Sequence, residues 1–289
     1  MAIPNNLDAL LAEHPYLRDC AGQLVVIKYG GNAMVSEELK EAVLQDIVLL
    51  KALGLKPVLS HGGGPGINAM LKKLDIPVQF INGLRYTSDE TIDVVEAVLI
   101  GQVNTELVSL LQKFGGRAVG LSGVSGNMYH CHQRSEELGL VGDIDYVDTS
   151  AIHAILEAGF IPVIAPLGTD SRGLVFNING DTAAGKLASA LGADKLLLLT
   201  DIEGLCNSVE KHDVISYLNV EDVPRLKECG TISGGMIPKV DCCVTAIEEG
   251  VGSVHIIDGR KPHSILEAFG EEDFGTTIGT ARESVGIKE

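Results

Sequence analysis

Two apolar runs of strand length each end in a cluster of glycines, and this pairing restricts the chain more than any other feature. Val25-Val26-Ile27-Lys28-Tyr29 leads into Gly30-Gly31, and Val58-Leu59-Ser60-His61 leads into Gly62-Gly63-Gly64-Pro65-Gly66. Glycine lets the backbone turn sharply and expose its N–H groups, the donors that an anion uses. The second cluster continues into Ile67, Met70, Leu71 and Leu74, an apolar stripe at helical spacing. An anion held there also meets a helix N-terminus. Lys28 adds a fixed positive charge. Two anion cradles point to the handling of phosphate or carboxylate groups.

Strands and helices alternate through the rest of the chain. Ser36 is expected to cap a helix running to Leu53, with Glu37 and Glu38 in its first turn and Gly54 beyond its end. Further helices are expected at 67–74, 89–114, 182–191 and 238–249, and strands at 56–60, 117–121, 161–165, 195–200 and 253–257. Residues 6–17 read as a short amphipathic helix, broken or kinked at Pro15. Residues 122–148 are polar and weakly periodic and read as irregular strands and turns. This alternation predicts an α/β fold, a three-layer sandwich with a mainly parallel central sheet. Ligands in such sheets sit beyond the C-terminal strand ends, where both glycine clusters lie.

Composition narrows the partners. The chain has 289 residues, 45% of them hydrophobic, enough for a substantial core. Its formal net charge of −17 argues against nucleic acid and against an anionic membrane surface, both of which need clustered Lys and Arg. An anionic ligand must therefore be drawn in by local cations and N–H groups. No apolar run reaches the roughly 18 residues of a membrane span, and Met1 to Leu17 lacks the pattern of a secretory signal. Six scattered cysteines without a C-x-x-C pair read as reduced thiols, and the expected location is cytoplasmic.

The chain contains no Walker loop, no well-placed G-x-G-x-x-G, no G-x-S-x-G and no H-E-x-x-H. Arg85, after Asn82-Gly83-Leu84, offers a planar fork suited to a carboxylate, although a loop arginine is also commonly just solvated. Asn177-Ile178-Asn179-Gly180-Asp181 reads either as an N-cap cluster or as polar groups lining a site. Thr200-Asp201-Ile202-Glu203-Gly204 follows a buried strand, as a ligand rim does. Ser233-Gly234-Gly235-Met236-Ile237-Pro238-Lys239 places a lysine in a first helical turn, against the helix dipole, which makes Lys239 a functional suspect. His130-Cys131-His132 is a poor metal site, because three successive residues cannot easily ligate one ion; no metal ligand is assigned.

Taken in order, K-Y-G-G, H-G-G-G-P, N-G-L-R, N-I-N-G-D, T-D-I-E-G-L and G-G-M-I-P-K make the chain similar to the amino acid kinase family across residues 24–280. The resemblance is strongest to members that phosphorylate N-acetyl-L-glutamate. It implies the amino acid kinase fold and transfer of the ATP γ-phosphoryl group to the side-chain carboxylate of N-acetyl-L-glutamate, a step of arginine synthesis. By position it implies Lys28 and Lys239 as the pair that stabilises the transferring group, with Asp181 positioning both. It implies Gly63, Gly64, Arg85 and Asn177 as acetylglutamate contacts and Gly30 and Gly31 along the phosphates. Around the nucleotide it implies Thr200, Asp201, Ile202, Glu203, Gly204, Leu205, Cys206, Thr231, Ile232 and Ser233. The cofactors implied are ATP and Mg²⁺, the ion held mainly by nucleotide phosphates. Gly180 stands where alanine is usual, and residues 125–134 are less basic than is usual there.

The resemblance also implies three segments: an oligomerisation helix at 1–20, an acetylglutamate-binding half at 21–190 and an ATP-binding half at 191–289. It extends to arginine-inhibited members, with His263, Glu271, Glu272 and Gly275 at the inhibitor site, and to a homo-oligomer, a dimer or a trimer of dimers. A signalling protein as partner leaves no readable motif. The alternatives are a sister kinase acting on aspartate, glutamate, carbamate or UMP, and a catalytically inactive arginine sensor.

Overall fold

The computed structural model describes residues 11, 14–34, 36–208, 213–270 and 274–280. Its centre is an eight-stranded sheet. In chain order the strands of the molecule are β1 (Leu24–Tyr29), β2 (Lys56–His61), β3 (Phe80–Ile81), β4 (Leu84–Arg85), β5 (Ala118–Ser122), β6 (Tyr129–Gln133), β7 (Val141–Val147) and β8 (Ile161–Ala165). There follow β9 (Leu167–Thr169), β10 (Val175–Ile178), β11 (Lys195–Thr200), β12 (Cys206–Ser208), β13 (Asp213–Val214), β14 (Tyr217–Asn219), β15 (Ser253–Asp258) and β16 (Thr276–Gly279). The main sheet runs β14-β16-β15-β11-β1-β2-β8-β5, parallel except for the β15–β16 pair. β1 pairs with β11 on one side and β2 on the other, so the sheet continues across the 190/191 boundary.

Alternating side chains feed two different cores, which makes the molecule three layers deep. Val25, Ile27, Tyr29, Leu59, Leu197 and Leu199 pack on one side, with α1 (Glu37–Ala52), α2 (Gly64–Lys73) and α3 (Asp89–Lys113). Val26, Val58, Leu196 and Leu198 pack on the other, with α4 (Ser150–Glu157), α5 (Gly180–Leu191), α6 (Val223–Glu228) and α7 (Met236–Glu248). The register therefore puts Lys28 on the α5–α7 face and His61 on the α1–α3 face.

Local chemistry sets the helix ends. The Ser36 hydroxyl accepts from the Leu39 N–H and opens α1, whose C-cap is Leu53. α2 begins at Gly64, three residues earlier than its apolar stripe suggests, because Pro65 is suited to a first turn. α7 begins two residues before Pro238, which the first turn tolerates because its N–H groups have no intrahelical partner.

Several expectations are corrected. Most of the 6–17 helix lies outside the described residues. At Pro15 itself, His14 just before it is non-helical (φ −126°, ψ 66°) and a separate 3₁₀ turn, Pro15–Cys20, begins, in keeping with a break there. The long helix is not a regular α-helix, since Ala97–Asn104 winds as a π-helix between two α segments. By length and composition α3 could cross a membrane; Val95, Val98, Leu99, Leu107 and Leu111 bury one face of it in the core. Residues 122–148 contain the hairpin β6–β7, which closes with β9 and β10 into a small barrel beside the main sheet.

Candidate active site

One buried carboxylate gathers two ammonium groups from distant parts of the chain. Asn179 caps α5, its side-chain oxygen accepting from the N–H groups of Asp181 (3.0 Å) and Thr182 (3.1 Å). This fixes Asp181 in the first turn of α5, facing the sheet. Lys28, from β1, reaches Asp181 Oδ1 at 2.9 Å, and Lys239, from the first turn of α7, reaches Oδ2 at 2.6 Å. Both lysine side chains are largely buried, at 12% and 15% exposure. Burial alone would push the Asp181 carboxyl up, but Lys28 and Lys239 hold it well below the usual carboxylate range. The carboxylate also offsets the cost of a cation at the N-terminus of α7.

Two adjoining cavities meet at this centre. The smaller, about 230 Å³, is lined by Lys28, Gly31, Gly63, Gly64, Arg85, Asn177 and Asp181 among others. Gly30 lies directly beneath the lysine, since a Cβ there would sit 3.3 Å from Lys28 Nζ. The Tyr29 carbonyl accepts from the Gly62 N–H at 2.8 Å and joins the two glycine clusters. Arg85 is held at the cavity wall. Its Nη2 donates to Asn68 Oδ1 at 2.6 Å, its guanidinium lies over the Phe80 ring at 4.9 Å, and its buried Nη1 has no protein partner. Asn177 Nδ2 donates to Thr87 Oγ1 at 3.2 Å. The larger cavity, about 850 Å³, is lined by Lys239, Gly234, Gly235 and Thr182, and shares Gly83, Leu84, Asn179 and Asp181 with the smaller one.

The expected nucleotide residues line neither cavity. They lie past the end of β11 and before α7. Thr200 ends β11 opposite Asp258 of β15, and Glu203 approaches Lys261 at 4.0 Å. Asp201 is exposed, and Ile202 and Cys206 are partly so. Leu205 and Ile232 turn into the core, at 4% and 1% exposure, so their side chains shape the loops from beneath. Gly204 has φ +154° and lies against Thr276, where a Cβ would come within 2.7 Å of Oγ1. Thr231 contacts Cys229, and the Ser233 carbonyl accepts from the Met236 N–H.

His263 and Gly275 also belong to neither cavity, and Glu271 and Glu272 lie outside the described residues. His263, at φ 59°, contacts the buried Asp46 carboxylate through Nδ1 at 2.6 Å. Along β6, Cys131 is buried, His132 pairs with Asp145, and the His130 ring meets Tyr146. Among the described residues, no three His, Cys, Asp or Glu side chains gather as metal ligands. Sequence reasoning missed Asn68, whose contact with Arg85 depends on a tertiary approach that no local pattern signals.

Lys28 and Lys239, held in place by Asp181, can neutralise and align a migrating anion between the two cavities. Arg85 Nη1 and the glycine N–H groups can hold a second anion. Comparisons with known proteins agree with these capacities. A profile of the amino acid kinase family matches residues 23–258. The acetylglutamate kinase of Heliobacterium modesticaldum is 50% identical over 278 residues, covering 91% of this chain and 94% of that one. The acetylglutamate kinase of Moorella thermoacetica is 48% identical, covering 93% and 95%. The N-acetylglutamate synthase of Neisseria gonorrhoeae, solved with coenzyme A and N-acetyl-glutamate, superposes with a TM-score of 0.82 at 25% identity, covering 95% of this chain and 64% of that longer one. The carbamate kinase of Giardia lamblia bound to AMP-PNP shares the fold, with a TM-score of 0.66 at 19% identity, covering 91% of this chain and all of that one.

Proposed function

The chain belongs to the amino acid kinase family, and from that premise we propose that it transfers the γ-phosphoryl group of ATP to the side-chain carboxylate of N-acetyl-L-glutamate. The observation that carries this is the bracketing of Asp181 by Lys28 and Lys239, beside a cavity holding a free Arg85 N–H. The acceptor carboxylate is already ionised near neutral pH, so it needs no general base. What the reaction requires is alignment and neutralisation of charge, which dominate phosphoryl transfer.

In this reading acetylglutamate occupies the smaller cavity. Arg85 Nη1 takes its α-carboxylate, Asn177 and the N–H groups of Gly63 and Gly64 orient it, and Lys28 faces the attacking oxygen. ATP lies across the ends of β11 and β15, with Gly30 and Gly31 along its phosphates. Lys239 faces the transferring group from the other side, and Asp181 keeps the two ammonium groups in register. Mg²⁺ supplies charge neutralisation on the nucleotide when bound. Asp181 already balances the charge of both lysines, so it serves here as their anchor. Phosphate oxygens hold the ion.

The 21–190 half then serves the amino acid and the 191–289 half the nucleotide, meeting where β1 pairs with β11. L-arginine as feedback inhibitor, a homo-oligomer and a cytoplasmic location complete the proposal. The decisive experiment is ADP release from ATP in the presence of acetylglutamate, aspartate, glutamate, carbamate or UMP. Release with any acceptor other than acetylglutamate alone, or with none, sinks the assignment. Turnover indifferent to millimolar L-arginine removes the inhibitor.

A further inference from the structure

A fully buried polar contact lies directly under the glycine loop, and neither of its side chains lines the cavities of the site. His61 ends β2 with no solvent exposure. Its Nδ1 lies 2.8 Å from the Gly62 carbonyl oxygen, and its Nε2 lies 3.0 Å from Asn104 Nδ2. A carbonyl can only accept and an amide NH₂ can only donate. The contacts therefore fix the ring in its neutral Nδ1–H form, with Nε2 accepting. Burial pushes the His61 pKa down to about 4, in keeping with a neutral ring. The same Asn104 Nδ2 also lies 2.9 Å from the Val163 carbonyl and 3.2 Å from the Leu121 carbonyl, so its two hydrogens are shared among three acceptors at the ends of β2, β8 and β5. Gly120 leaves room for it, since a Cβ there would sit 2.0 Å from Asn104 Oδ1.

The π-helical segment of α3 makes this contact possible. Its i→i+5 winding brings residues five apart onto one face, which an α-helix does not do. Leu99 and Asn104 are such a pair. Leu99 packs on Gly63, where a Cβ would meet its Cδ2 at 2.5 Å, while Asn104 reaches His61. Val98 packs less tightly on Gly66, with its Cγ1 3.1 Å from the position of a Cβ. One short stretch thus supports the glycine loop from below and orients the ring at its start.

We propose that His61 and Asn104 are positioning residues for phosphoryl transfer: Asn104 fixes the ring, and the ring Nδ1–H holds the Gly62 carbonyl so that the next N–H faces the acceptor. The direction follows from the peptide plane. Every peptide bond described here is trans, so the Gly62 carbonyl and the Gly63 N–H point opposite ways. His61 lies on the α1–α3 face of the sheet, so the Gly63 N–H points to the face carrying Lys28 and Asp181. The Gly62 N–H is itself held by the Tyr29 carbonyl, which leaves that residue little freedom to rotate.

The inference rests on the reading of this site as a kinase, and two measurements separate the two. In ligand-free protein, long-range ¹H–¹⁵N correlation spectra of the histidine rings should show His61 with Nδ1 protonated and Nε2 bare from pH 6 to 8. The signal is assigned by its loss in His61→Asn. An Nε2-protonated or titrating ring overturns the proposal, and this readout needs no active variant. In kinetics, His61→Asn keeps an amide donor near the former Nδ1, whereas His61→Gln puts its amide near the former Nε2. The Gln variant should lose kcat by about 10²-fold, the scale of one misplaced oxyanion donor, and the Asn variant should keep most of it. Equal kcat in the two overturns the proposal. Wild-type protein that fails to phosphorylate acetylglutamate removes the substrate assignment, and the ring state then decides the matter alone.

Discussion

Lys28 and Lys239 share one carboxylate, and their contributions to turnover should be large and separable from stability. Removing either ammonium group deprives the migrating phosphoryl of one preorganised charge. Lys28→Ala or Lys239→Ala should therefore lower kcat about 10²–10³-fold, measured by ADP release at saturating substrates. A variant that turns over at the wild-type rate takes that lysine out of the centre. Arg85 should behave differently. Its Nη2 is engaged by Asn68 and Nη1 is free, so in the proposed reading it would meet the acceptor in ground and transition states alike. Arg85→Ala should raise the KM for acetylglutamate with a smaller change in kcat, because uniform binding is what is lost. An unchanged KM removes Arg85 from the acceptor cavity. Lys28 and Lys239 were readable because each combined an unusual type with an unusual place, a lysine ending an apolar strand and a lysine against a dipole; Asp181 stood out only through the asparagines before it. Asn68 and Asn104 carried no such signal. Their partners come from 17 and 43 residues away, and neither spacing marks a local motif.

Among the helices, two caps of similar chemistry allow structure and function to be separated. Ser36 caps α1 away from the cavities, and Asn179 caps α5 directly behind Asp181. Ser36→Ala and Asn179→Ala should each cost about 1 kcal/mol of stability, read as a shift in the denaturation midpoint. Asn179→Ala alone should also lower kcat, since the first turn that carries Asp181 loses its tether. Equal kcat in the two variants would mean that the two lysines hold Asp181 without the cap. Gly180 sits beside it, and a Cβ there would meet Lys28 Cε at an ordinary 3.6 Å, so the departure from alanine creates no steric demand. The elements that were legible share strong periodicity or a capping residue: β1, β2, α1, β8, α5 and β11 lie close to where the sequence puts them. The π-helical winding was not legible, because Ala97–Asn104 is as apolar and as helix-compatible as its flanks. The strands of the small barrel mix polar with apolar residues, as in His130, His132, Asp143 and Asp145, and β10 showed itself only through Asn177 and the asparagine that follows its end.

For the molecule as a whole, both substrates are anions and the protein carries a formal charge of −17. The sheet order resolves this conflict locally. β2, β1, β11 and β15 are neighbours, so the glycine loops and Lys28 open beside the ends of the two strands proposed to carry the nucleotide. Parallel strands bring these ends to one edge of the sheet, and α2 adds its N-terminus there, so the anions meet N–H groups and ammonium groups in place of the net field. The nucleotide's own charge still needs a divalent ion. The proposed arrangement puts that ion on the phosphates, since the one carboxylate between the lysines is ion-paired with both of them. An ion bound to the folded protein stabilises it by mass action, whereas an ion that arrives on the nucleotide does not. Excess EDTA should therefore abolish ADP release while leaving the melting temperature of nucleotide-free protein unchanged. A fall in that temperature on chelation would reveal a protein-held ion, with Asp181 Oδ1, which accepts no hydrogen bond, as the candidate ligand.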